Sequence, residues 1–158
     1  MEARIALAVQ AALALAAPAS AQDLSQLRSW IFLRGTCERL VIAGKDVTGA
    51  CRETVVNMTY HYGRSSFGFS DGSARMVSFS GTEQIREGDV VRQTLDAISI
   101  ATQGALAPDV ASAPASGTCI FSDPYRGRSF IRCSARTRDG EFAASFTSNG
   151  EPPQVHEF

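Results

Sequence analysis

The chain has 158 residues, of which 44% are hydrophobic and 20% are charged, and its formal net charge at pH 7 is -1. This length fits one domain and is too short for a TIM barrel or a two-domain enzyme. The hydrophobic content excludes a disordered chain, and the balanced charge supplies no overall field that would attract nucleic acid or an anionic membrane.

Residues 1–21 have the features of a secretory signal peptide. Arg4 precedes an apolar run over residues 5–17, and the segment ends in a small-x-small pattern that signal peptidase recognises. The apolar run is shorter than the roughly 20 residues that a transmembrane helix requires. We therefore expect removal of this leader, export to the periplasm or out of the cell, and a single β domain over residues 22–158 with no transmembrane segment.

Four cysteines follow the leader, namely Cys37, Cys51, Cys119 and Cys133. The first two and the last two have the same spacing, and each pair begins with the sequence Gly-Thr-Cys. An even number of cysteines in an exported protein indicates disulfides, whereas zinc ligands usually lie about two to four residues apart. Gly44 and Arg126 lie midway in the two segments, so each segment is predicted to be a hairpin with its cysteines facing each other. We therefore predict the disulfides Cys37–Cys51 and Cys119–Cys133, each worth about 3 kcal/mol in loop-closure entropy.

The rest of the chain shows the two-residue alternation that is typical of β-strands. Strands are predicted over residues 56–62, 67–69, 77–79, 131–135 and 142–146, with a further short strand at 30–33. In the first of these, Val56, Met58 and Tyr60 share an apolar face with Tyr62. Residues 90–101 fit neither the helical nor the strand period, but their Thr and Ile content favours a strand. Residues 103–116 are rich in Ala, Pro and Ser and are predicted to be a loop or linker. The fold class is mainly β, an antiparallel sandwich or open barrel with two disulfide-stapled hairpins.

No cluster of reactive residues accompanies this pattern. Ser70 lies in a Gly-x-Ser-x-Gly sequence, but the strand-like alternation after it argues against the helix that a nucleophile elbow requires. His61 and His156 are predicted to be surface residues, and the acidic residues are scattered singly. We predict no catalytic residue, no metal site and no cofactor.

One predicted strand in the last third of the chain is rich in arginine. Residues at alternate positions would share one face, with a further arginine at the nearby turn, and the candidate set is Arg126, Arg128, Phe130, Arg132, Arg136 and Arg138. Such a strip is suited to binding an anionic glycan or a protein. The alternative is a solvated face that protects an edge strand from aggregation, with Asp123, Asp139 and Glu141 neutralising its charge.

With its leader and its two Gly-Thr-Cys segments, the chain resembles the small exported bacterial proteins of unassigned function that carry a signal peptide and a few disulfides. The resemblance implies export and implies no activity. We expect a non-catalytic binding or interaction module whose partner is a protein or an anionic glycan and not nucleic acid. Two alternatives stay open: an inhibitor of a secreted hydrolase acting through the loops near Gly44 and Tyr125, and a small hydrolase with a dispersed active site that includes His61.

Overall fold

The computed structural model describes residues 24–103 and 108–158, so the signal peptide predicted over residues 1–21 lies outside the described ranges. The strands are β1 (Leu27–Ile42), β2 (Lys45–Asp46), β3 (Thr54–Tyr60), β4 (Ser65–Ser70), β5 (Arg75–Gly81), β6 (Glu83–Glu87), β7 (Val90–Gln103), β8 (Pro108–Ser122), β9 (Phe130–Thr137), β10 (Gly140–Ser148) and β11 (Gln154–Glu157). Short 3-10 helices lie at Leu24–Gln26, Thr48–Ala50 and Pro124–Arg126. None of the helices in these two ranges has the length and apolar character needed to span a bilayer.

Eight of the strands close into an antiparallel barrel in the order β1-β3-β4-β5-β7-β8-β9-β10, and the pairing of β10 with β1 completes the ring. The closing pair joins residues far apart in sequence, such as Leu40 and Ala144. β2 and β11 add to β1, and β6 adds to β7. The predicted antiparallel β fold is confirmed, and the barrel is closed rather than open.

The core fills the inside of the barrel with side chains from alternate positions of the strands. In β9, Ile131, Cys133 and Ala135 are buried, while the residues between them are exposed. Phe69 of β4 and Phe79 of β5 are also buried, and their rings meet edge to face with centroids 5.7 Å apart. The residues that the sequence alternation predicts to face inward therefore do so in these strands. Their side chains fill the interior, as is usual for a barrel of eight strands.

The apolar face predicted for β3 packs on the outside of the barrel. Val55 is fully buried in the main core, whereas Met58 and Tyr60 form a second cluster with Leu27. Because successive side chains of a strand point to opposite faces, this second cluster lies on the outer face of the wall. Burial there raises the pKa of Tyr60. Tyr62 follows the strand and is 50% exposed, so the predicted face ends before it.

Both predicted disulfides are confirmed, Cys37–Cys51 and Cys119–Cys133. Cys119 of β8 is directly opposite Cys133 of β9, with Cα atoms 4.0 Å apart, as expected for a cross-strand pair. Cys51, in contrast, belongs to no strand, because only the short β2 pairs with β1 before a 3-10 helix begins. The hydroxyl of Thr48 in that helix accepts the N–H of Leu40 at 3.0 Å, in place of a strand neighbour. The Cys37–Cys51 disulfide therefore closes a short hairpin and a helical turn, and does not join two directly paired strands.

The loop or linker predicted over residues 103–116 is wrong for Gln103, which ends β7, and for residues 108–116, which belong to β8. Pairing with β7 along the length of β8 supplies backbone hydrogen bonds that outweigh the low strand propensity of Ala and Ser. The prolines occupy positions where a strand tolerates them, because Pro108 begins β8 and Pro114 adjoins a register shift in the pairing with β7. Residues 104–107 lie outside the described ranges.

Candidate functional site

The two ends of the barrel are built differently. At one end the β1–β2 turn closes against β10, where the N–H of Gly44 donates to the carbonyl of Glu141 at 2.8 Å. At the other end the β8–β9 loop, which contains Tyr125, and the ribbon of β6 and β7 surround an opening. β9 runs between the two ends, so the loops near Gly44 and Tyr125 do not form one surface. An inhibitor would have to act through one of these loops alone.

A cavity of about 220 Å³ lies inside the open end. Its walls are mainly apolar, and their aliphatic and phenylalanine side chains are Ile31, Leu33, Phe67, Val91, Phe121 and Ile131. The rings of Phe67 and Phe121 pack edge to face in its wall, with centroids 4.8 Å apart. An apolar cavity that is open at one side has the form of a ligand site, and its volume, below the roughly 300–1,000 Å³ of typical ligand pockets, suits a small molecule or a side chain of a partner.

Polar groups surround the mouth of this cavity. The Asn57 amide donates to the Ser65 hydroxyl at 2.9 Å and to the Ser66 carbonyl at 3.1 Å, which fixes its orientation. The Asp123 carboxylate accepts the N–H of Tyr125 at 2.9 Å and so begins the 3-10 helix of the β8–β9 loop. Within the described ranges Arg86 of β6 has no ion pair, although it lines the cavity. The mouth therefore offers one cationic group beside fixed amide and carboxylate groups.

A bend in the wall places β6 beside this mouth. At Gly81, the last residue of β5, the pairing with β4 ends and the chain continues as β6, which pairs only with β7. A Cβ at Gly81 would overlap the carbonyl oxygen of Thr94, so the close crossing requires glycine. Gln93 is fully buried under the bend, and its amide donates to the carbonyls of Ser65 and Gly81, both at 2.9 Å. These hydrogen bonds hold the two sides of the opening together.

The arginine-rich strip is divided between the wall and the two ends of the barrel. Phe130, Arg132 and Arg136 lie on the outer side of β9, and the guanidinium carbon of Arg132 is 5.1 Å from the centroid of the Phe130 ring. Arg126 lies in the helix at the open end and is 3.3 Å from Asp89. Arg138 lies in the turn at the other end and is 3.6 Å from Asp139.

Arg128 lies apart from these residues, in a polar groove on the outside of the barrel. The groove has a volume of about 560 Å³ and is lined by charges of both signs, including Arg34, Glu38 and Glu53. Of the acids expected to neutralise the strip, Glu141 is 3.5 Å from Arg39 of β1. Glu141 is also directly opposite Arg136 in the pairing of β10 with β9, so the outer side of β9 carries Arg132 and Arg136 with one acidic neighbour.

The residues considered for catalysis lie in separate parts of the fold. His61 is exposed in the turn after β3, and its N–H donates to the carbonyl of Gln26. His156 lies on β11, with its ring centroid 5.9 Å from that of Phe32. Ser70 ends β4, and the turn after it leads into β5 rather than into a helix. Among residues 24–103 and 108–158 there is no group of three or more His, Cys, Asp or Glu side chains that could hold a metal ion.

Sequence reasoning did not find the cavity at the open end. Its walls come from strands that are distant in sequence, and only the pairing of β1, β3, β4, β7, β8 and β9 brings them together. Asn57, at a polar position in the alternation of β3, was one available signal, because its side chain lines the cavity. The Asp-Pro-Tyr sequence of the β8–β9 loop was another, since it caps a short helix at the mouth.

No known protein family matches the chain. No curated protein is detectably similar in sequence, and no solved structure matches the fold. The function is therefore inferred from the geometry of the barrel and its surfaces.

Proposed function

We propose that the protein is a non-catalytic binding module, exported to the periplasm or out of the cell, which takes a small amphiphilic molecule into the open end of its barrel. The observation that carries this proposal is the apolar cavity of about 220 Å³ with polar groups at its mouth. The two disulfides are typical of proteins from an oxidising compartment, which supports export.

The lining of the cavity indicates the chemistry of the ligand. Phe67, Phe121 and Ile131 favour an unbranched or small aromatic apolar part. Arg86 at the mouth favours a head group with acceptor oxygens, such as a carboxylate, because a guanidinium forms strong hydrogen bonds with carboxylates. Asp123 at the mouth repels such a head group, so the carboxylate of the ligand is expected on the Arg86 side of the opening.

Unbranched carboxylic acids of increasing chain length test the proposal when they are titrated into the oxidised protein by calorimetry. We expect the affinity to rise about fourfold for each methylene that enters the cavity. The rise should stop at the length at which the cavity is full. The Arg86→Gln variant should bind the acids more weakly and the corresponding alcohols equally well. An affinity that does not depend on chain length would contradict the proposal.

A pair of valine substitutions separates the cavity from the outer surface. Val91 lines the cavity, so Val91→Phe should shorten the longest chain that still gains affinity. Val110 is 42% exposed on β8 and does not line the cavity, so Val110→Phe provides a control of the same size. Equal binding by both variants and the native protein would place the ligand elsewhere.

A further inference from the structure

A row of arginines crosses the outer wall of the barrel perpendicular to the strands. Arg132 of β9 is opposite Ile120 of β8 on one side, and Ile120 is opposite Arg92 of β7. On the other side Arg132 is opposite Ser145 of β10, and Ser145 is opposite Arg39 of β1. Residues directly opposite each other in a sheet project from the same face, so the three arginines share the outer surface. Neighbouring strands are about 4.8 Å apart, and the arginines therefore recur about every 10 Å.

A second line of positive charge runs along β9. Arg136 lies four residues after Arg132 on the same outer face, at a distance of about 13 Å along the strand. We call the four side chains Arg39, Arg92, Arg132 and Arg136 the arginine wall. All four are exposed, and none of them lines the cavity at the open end.

Two glutamates accompany the four arginines, Glu87 beside Arg92 and Glu141 between Arg39 and Arg136, so the wall with these neighbours has a net charge of +2. Arg39 is 3.5 Å from Glu141 and Arg92 is 3.3 Å from Glu87, with every side chain of these two pairs more than 40% exposed. Ion pairs so open to solvent are weak and screened by salt. Within the described part of the chain, Arg132 and Arg136 form no ion pair.

Phe130 places an aromatic ring among the arginines of the wall, and a face that only contacts solvent would not require one. The guanidinium carbon of Arg132 is 5.1 Å from the centroid of this ring, a cation–π contact that favours one orientation of the central arginine. The half-buried ring also offers an apolar surface beside the charge. A flat apolar surface next to a guanidinium suits the ring of a charged sugar, which presents C–H groups on one face and an anionic group at its edge.

We propose that the arginine wall binds a linear anionic polysaccharide, with the chain running across the strands from Arg92 past Arg132 to Arg39. A single small anion would contact one arginine, whereas a polymer with recurring carboxylates or sulfates contacts all three in turn. A flexible chain can also follow the convex wall. Disulfides are typical of an oxidising compartment, where nucleic acid is not the expected polyanion, so we assign a polysaccharide. The wall is separate from the cavity, and the two proposals do not depend on each other.

Heparin and polygalacturonate serve as probes for the full oxidised protein. We expect the double variant Arg132→Ser/Arg136→Ser to bind both probes at least about tenfold more weakly and with a smaller dependence on salt. The control Arg28→Ser/Arg52→Ser makes the same change in net charge at exposed positions outside the wall. It should retain native affinity.

Three results would overturn the proposal. The first is equal weakening by the two double variants, because net charge alone would then explain binding. The second is native affinity in the Arg132→Ser/Arg136→Ser protein when its unfolding curve is unchanged. The third is binding of single-stranded DNA as tight as that of heparin and equally sensitive to the wall variant, which would assign the surface to nucleic acid. The Val91→Phe variant, which alters the cavity and not the arginine wall, should bind heparin with native affinity. The heparin experiment therefore tests the arginine wall even if no ligand enters the cavity.

Discussion

Arg64 and Asp96 form a bidentate ion pair in which two guanidinium nitrogens each lie 2.7 Å from a different carboxylate oxygen. The pair joins the turn between β3 and β4 to β7, next to the register shift between Leu95 and Ala97. The Arg64 side chain is only 17% exposed. Because the pairing of β5 with β4 ends at Gly81 near this point, the ion pair links the start of β4 to β7, two strands that do not pair with each other. It therefore contributes to the shape of the open end.

A double-mutant cycle should detect this contribution to stability. For Arg64→Ala and Asp96→Ala we expect a coupling energy of about 1 kcal/mol, because the geometry is bidentate and the arginine is largely buried. Urea unfolding of the four proteins measures it. Arg126 and Asp89 provide a control pair, since their side chains are 74% and 92% exposed and should show almost no coupling. Equal coupling in the two cycles would contradict the structural role of the first pair.

The buried Gln93 of β7 should contribute more to stability than the exposed Gln84, which lies opposite it on β6. Gln93 is fully buried and donates to the carbonyls of Ser65 and Gly81, so Gln93→Leu leaves these two acceptors without that partner. Its own Oε1 has no partner within the described ranges, which offsets part of the loss. We expect the free energy of unfolding to fall by roughly 2 kcal/mol.

Gln84 supplies the control for this prediction. It is exposed on β6 directly opposite Gln93, so Gln84→Leu changes the same side chain in the same strand pair without touching the bend. We expect it to change stability by less than about 0.5 kcal/mol. If both leucine variants unfold at the same urea concentration, the hydrogen bonds of Gln93 do not hold the bend.

Local sequence patterns predict the walls of this barrel and not its ends. The alternation of Ile131, Cys133 and Ala135 identifies the inner face of β9, because a strand with one buried face has a period of two. The alternation over β3 is equally clear but describes the outer face, since Met58 and Tyr60 pack in a separate cluster there. A pattern of period two cannot say which of two apolar surfaces is the inside of a barrel.

The disulfides could be predicted from the sequence and the cavity could not, because the first depend on residues close in sequence and the second on residues far apart. Equal cysteine spacing was sufficient to pair them, because both bonds close short loops. The cavity depends on the closure of β1 with β10 and on the bend at Gly81, which are contacts between distant segments. The strand at residues 108–116 was missed for a related reason, since its Ala and Ser residues are ordered by β7 rather than by their own propensity.

The repeated Gly-Thr-Cys sequence has a steric explanation that can be tested. A Cβ at Gly35 would overlap the backbone of Thr147, and one at Gly117 would overlap the carbonyl oxygen of Ser134. We expect Gly117→Ala to lower the free energy of unfolding by at least about 2 kcal/mol, because backbone atoms cannot move aside cheaply. Gly49 is the control, since a Cβ there would meet nothing within 4 Å. Near-native urea unfolding of Gly117→Ala would show that the strands can separate at this crossing.

The turn between β4 and β5 contains a carboxylate whose ionisation should stabilise the fold. Asp71 is only 6% exposed, and its Oδ1 accepts the N–H of Ser73 at 3.1 Å and the Ser73 hydroxyl at 2.6 Å. Its Oδ2 accepts the Nε–H of Arg75 at 2.7 Å. Burial raises the pKa of Asp71, but the hydrogen bonds from Ser73 and Arg75 outweigh it and hold the pKa below its usual value.

The stability that Asp71 contributes should therefore depend on pH with a definite sign. Since the pKa is lower in the folded than in the unfolded protein, the contribution is complete above the unfolded value of about 3.9 and is lost as the pH falls through the folded value. At neutral pH, Asp71→Asn should lower the free energy of unfolding by roughly 1–3 kcal/mol. Urea unfolding at a series of pH values should show this difference shrinking below about pH 4. Asp109→Asn, at an exposed position of β8, should cause no comparable difference, and a gap for Asp71→Asn that stays constant with pH would mean that packing and not charge explains it.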